Sequence, residues 1–69
     1  MRFRATLPYI DSMGSVSPIT CNETSITTKE QDLLWHLNHM REHDGLAPWT
    51  EESKNFQYTL EKTTWEELD

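Results

Sequence analysis

Near the amino terminus apolar and polar residues alternate: Phe3, Ala5, Leu7 and Tyr9 fall on one side of an extended chain, and Arg2, Arg4, Thr6 and Pro8 on the other. That period of two predicts a β-strand with one buried face. Pro8 removes a ladder donor and belongs at a sheet edge or a strand end. Asp11, Ser12, Gly14 and Ser15 then interrupt the pattern, and Gly14 is free to take a positive φ, so a turn is expected there. Residues 19–26, with their Thr, Ile and Cys content, suit a second strand that Asn22 and Glu23 interrupt.

The period then changes. Thr27 with Glu30 three residues on has the form of a capping box, and Gly45 followed by Pro48 is a stop signal, so one helix is expected over residues 28–44. Leu33, Leu34, Leu37 and Met40 recur at helical spacing on one side of it, a stripe that must be buried, with a sheet as its natural partner. Over residues 55–62 the alternation returns, Phe56, Tyr58 and Leu60 against Gln57, Thr59 and Glu61, which predicts another strand. A helix there would support Phe56 and Leu60 mainly with threonines, although Thr50, Glu51, Glu52 and Ser53 can open a helical turn. The chain closes on a short acidic segment in which Thr63 and Glu66 fit a second capping box and Trp65 and Leu68 share a side, an amphipathic turn. The expected fold is α+β: a small antiparallel sheet of two or three strands packed against one amphipathic helix, with a short acidic C-terminal turn, in a single domain over residues 1–69.

Length narrows the function. A chain of 69 residues buries only roughly 60% of the surface its unfolded form exposes, which favours a binding surface over a deep catalytic pocket. Charge then sharpens the picture. Through Arg41 four acids balance four bases, whereas from Glu42 onward eight acids face only Lys54 and Lys62. The same acidic stretch carries Trp49, Phe56, Tyr58 and Trp65, and a purely solvating segment lacks aromatics. The negative balance repels anionic lipid and nucleic acid, and no apolar run approaches the roughly 20 residues that cross a bilayer. One cysteine, Cys21, allows no intramolecular disulfide, and no apolar leader precedes a small-residue cleavage site, so an intracellular, cytoplasmic setting is expected. Asn22-Glu23-Thr24 fits the glycosylation pattern, which carries meaning only for a secreted chain.

Candidate chemistry is sparse. Asp32, His36, His39 and His43 fall close together around a helix, and their spacing includes pairs able to hold zinc or nickel. They also run along about 16 Å of helix axis, too far for one tetrahedral ion, so at most two neighbouring histidines ligate together. A polar flank or a pH-responsive surface are the other readings of that row. Cys21 has no glycine-rich turn or helix start beside it to activate a thiolate, and the paired carboxylates Glu51-Glu52 and Glu66-Glu67 stand where nothing holds one protonated. No phosphate loop or dinucleotide fingerprint is present. A non-enzymatic chain without cofactor is expected.

Trp35, Trp49 and Trp65 are either plugs of an undersized core or contact anchors, with at least one expected on the surface. The expected function is that of an acidic protein-binding module docking on the basic surface of a host enzyme. In general character it is similar to the small inhibitors and modulators that phages encode, a likeness of type that names no family. The expected contact set is Trp35, Trp49, Glu51, Glu52, Trp65, Glu66, Glu67, Leu68 and Asp69. Two alternatives stand beside it: a DNA mimic whose acids occupy the groove of a nucleic-acid-handling protein, and a metal- or pH-sensing module built on the histidine helix.

Overall fold

The computed structural model describes residues 2–24 and 28–68. Its elements are β1 (Arg2–Ile10), β2 (Val16–Thr24), α1 (Lys29–His43), α2 (Lys54–Glu61) and β3 (Thr64–Glu67). The strands form one antiparallel sheet in the order β2-β1-β3, so the protein is a small α+β fold. β1 alternates as its sequence requires: Phe3, Ala5, Leu7 and Tyr9 are buried in the core with Cys21, Leu33, Leu37 and Phe56.

Pro8 sits in the central strand without breaking the ladder. The Arg2 carbonyl accepts from the Leu68 N–H, so even-numbered residues of β1 turn their backbone groups toward β3. That strand pairs only with residues 3–6 of β1. The missing donor of Pro8 therefore faces a stretch that β3 never reaches, and Pro18, directly opposite across the hairpin, turns its own nitrogen to the outer edge. Between β1 and β2 the chain turns on Asp11, whose carboxylate accepts the N–H groups of Met13 and Ser15 at 2.9 and 3.0 Å, and on Gly14 at φ +82. β2 runs past Asn22 and Glu23 as a full partner of β1, longer at its start than its composition predicts.

α1 begins one residue later than the predicted cap. Thr28 is the N-cap and its hydroxyl accepts from the Gln31 N–H at 3.2 Å; Thr27 lies outside the described residues, as does Ile26 of the predicted second strand. At the other end Gly45, at φ +74, gives its N–H to Glu42, and Leu46 gives its own to Arg41. This pair of bonds is the Schellman arrangement, which satisfies the last carbonyls and reverses the chain. The phenol of Tyr9 donates to Asp44 at 2.5 Å, tying the end of β1 to that C-cap.

Two expectations are corrected. Residues 54–61 form a helix, not a strand: Phe56, Thr59 and Leu60 turn to the core at i, i+3 and i+4, and the threonines that looked like poor support are satisfied locally. The Thr59 hydroxyl donates to the Asn55 carbonyl at 2.8 Å and Thr63 to Thr59 at 2.7 Å. Tyr58 consequently points outward, under Lys62. The acidic close is extended rather than a helical turn. Thr64–Glu67 pairs with β1 through Phe3↔Glu67 to Thr6↔Thr64, which places Trp65 on the core face beside Phe3, ring centroids 5.6 Å apart.

Candidate functional site

The two sides of α1 separate structure from surface. Leu33 and Leu37 are buried, with Leu34 and Met40 partly so. On the outer side Trp35 is 68% exposed and the His39 imidazole stacks on it, centroids 5.6 Å apart and planes 15° from parallel. His43 meets His39 edge-on at 5.2 Å. Asp32 and His36, on the same side of the helix, are half-buried, whereas His39 and His43 are exposed. Among the described residues no three His, Cys, Asp or Glu side chains converge as metal ligands.

The tryptophans divide as well. Trp49 and Trp65 are half-buried against the core. Each carries a cation from this chain: Arg41 lies 4.3 Å from the centre of the Trp49 ring and Lys29 5.0 Å from that of Trp65. Both plug the domain. Among the described tryptophans, only Trp35 is exposed.

Beside Trp35 runs a groove of ≈ 250 Å³ lined by Trp35, Asn38, His39, Glu42, Leu46 and Pro48. One wall is α1; the other is the segment that the Gly45 reversal folds back. Asn38 fixes that segment, donating to the Trp49 carbonyl and accepting the Trp49 N–H, both at 2.8 Å. Arg41 adds a bond to the Ala47 carbonyl at 2.8 Å. The wall is therefore held by backbone-directed bonds and does not depend on a bound ligand. Asn38, Glu42, Leu46 and Pro48 escaped the sequence reading because their grouping depends on a chain reversal; the local signal was Trp35 itself, an aromatic off the leucine stripe. A second groove, of ≈ 210 Å³, shares Leu46 with the first and is lined among others by Arg41, Trp49 and Tyr58.

The predicted acidic contact set does not assemble into one site. Glu51 and Glu52 are exposed in the turn before α2, whose Thr50 N–H and Gln57 side chain close it through Ser53 Oγ and the Glu51 carbonyl. Glu66 is held by Arg4 at 3.3 Å on the open face of the sheet, Glu67 is exposed, and Leu68 is half-buried and bonded to Arg2 through its backbone. Asp69 lies outside the described residues. Cys21 is buried at 1% exposure, away from any approaching substrate. The Tyr9 phenol is pushed up to about 12, first by burial and then by the Asp44 carboxylate it bonds; it serves the fold.

Among the described residues no helix is long and apolar enough to cross a membrane. No protein-family model matches the chain, and neither a curated protein nor a solved structure matches it.

Proposed function

We propose that this chain is a non-enzymatic protein-binding module, of the phage-type inhibitor or modulator kind, that docks on a basic surface of a host enzyme through the outer face of α1. The observation that carries this reading is Trp35: a tryptophan 68% exposed, beside a preformed groove, in a domain whose other tryptophans are used internally. Large rigid aromatics in such positions are typical contact anchors, because they bury much area for little lost side-chain freedom. The net charge of −6 supplies long-range attraction to a basic partner and raises the encounter rate. A contact module also accords better with the acids than a DNA mimic does, since Glu42 stands on α1, Glu51 in the turn before α2 and Glu66 on β3, where it is paired with Arg4.

The test is capture from host lysate with the immobilised wild type, Trp35→Ala and Trp65→Ala, read by mass spectrometry. A protein retained by the wild type and lost specifically with Trp35→Ala supports the reading, provided the variant melts with the parent. Retention unaffected by Trp35→Ala contradicts it.

A further inference from the structure

We infer that the Trp35 groove is a receptor for an arginine side chain presented by the partner, its guanidinium stacked on the indole of Trp35 and paired with the carboxylate of Glu42. This inference rests on the contact surface proposed above and names the chemistry it selects.

Three observations converge on it. First, the groove combines an exposed aromatic face with an exposed carboxylate, Trp35 and Glu42, with Leu46 and Pro48 as an apolar floor and wall. A planar cation on an alkyl stem fits such a lining: the stem lies on apolar surface, the plane stacks and the charge meets a carboxylate.

Second, the domain repeats this pairing internally. Trp49 carries Arg41, Trp65 carries Lys29 and Tyr58 carries Lys62. Among the described residues Trp35 has no Lys or Arg over its ring, and its neighbour is the His39 imidazole on one side. It is the exposed tryptophan for which the cation must come from another molecule.

Third, charge complementarity selects the occupant. Six lysines and arginines stand against twelve acids, and Arg41, the nearest cation on α1, is turned away to Ala47 and Trp49. Among the described residues no lysine or arginine lines the groove. The neighbouring groove, which shares Leu46, has that same Arg41 in its lining.

The test is a ¹H–¹⁵N NMR titration of the full chain with a capped peptide of three arginines separated by glycines. Its lysine counterpart and its citrulline counterpart, which keeps the shape of arginine without the charge, serve as comparisons. The expected shifts cluster at residues 35, 38, 39, 42 and 46. Citrulline should abolish most of the binding and lysine weaken it, while Trp35→Ala and Glu42→Gln each weaken it about two- to fivefold, the range of exposed cation–π and ion-pair contacts. Glu51→Gln should change nothing. Equal binding of the citrulline peptide overturns the inference, and so does equal sensitivity to Glu42→Gln and Glu51→Gln with none to Trp35→Ala, the pattern of unspecific attraction. If a captured partner is released by Trp35→Ala yet not displaced by the arginine peptide, the docking face stands and the arginine receptor falls. If Trp35→Ala releases nothing, both fall.

Discussion

Replacing Asn38 with alanine should destabilise the domain and loosen the groove together. Asn38 makes two bonds of 2.8 Å to the backbone of Trp49, one in each direction. A hydrogen bond contributes about 1 kcal/mol net, and leaving a part-buried N–H and C=O without partners adds about 1 kcal/mol where water reaches them incompletely, so the loss should be about 2 to 3 kcal/mol. A chain of 69 residues has only about 3 to 10 kcal/mol of stability, so this is a large share of it. Urea unfolding followed by tryptophan fluorescence reads the change directly. With a slope of about 1 to 1.5 kcal/mol per molar for so small a protein, the midpoint should fall by roughly 2 M. Because Leu46 and Pro48 stand on the clamped segment, binding at the groove should weaken in the same variant at urea-free conditions. A midpoint within about 0.3 M of the parent, well inside that expected shift, would refute the clamp. Trp35→Ala, by contrast, removes an exposed ring and should leave the midpoint where it is.

Leu37→Ala empties a site that is 1% exposed and should cost about 2 to 5 kcal/mol; a cooperative melt within a few degrees of the parent would show the core face of α1 misassigned. Gly45 holds φ +74 with open space where a Cβ would stand, so Gly45→Ala should cost about 1 kcal/mol through conformation alone, measurable as a lower denaturation midpoint. The Tyr9 phenol, raised from 10 to about 12, makes its stability contribution in full below pH 10 and loses it as pH climbs through 12. Thermal stability should therefore drop over that alkaline window in the parent and less in Tyr9→Phe; parallel curves would exclude the Tyr9 to Asp44 bond as the cause.

The legible part of the fold was whatever a local pattern carries. β1 declares itself because one face is buried along its whole length, and α1 because its leucines and its glycine stop agree. The cap moved from Thr27 to Thr28 because two adjacent threonines both offer a hydroxyl, with Glu30 and Gln31 equally placed behind them. α2 was misread because Phe56, Tyr58 and Leu60 alternate as a strand would, while the support for a helix lies in the hydroxyls of Thr59 and Thr63 bonding back one turn. That device is invisible to hydropathy. β3 has four residues and no pattern of its own; its pairing with β1 joins positions such as Arg4 and Glu66 across nearly the whole chain. The site followed the same logic. The sequence left all three tryptophans as plugs or anchors alike; helical spacing puts Trp35 off the leucine stripe, whereas the burial of Trp49 and Trp65 depends on Arg41, Lys29 and Phe3 arriving from elsewhere.

The claim that contact runs through Trp35 is tested most directly by ¹⁹F NMR of protein labelled with 5-fluorotryptophan, which gives each tryptophan its own signal once Trp→Phe variants have assigned them. On addition of the captured partner, or of the arginine peptide, the Trp35 resonance should shift and broaden, while those of Trp49 and Trp65, half-buried beneath cations of their own chain, hold their positions. Movement of Trp49 or Trp65 with Trp35 unchanged would contradict the account and return the contact surface to the acidic carboxy-terminal segment.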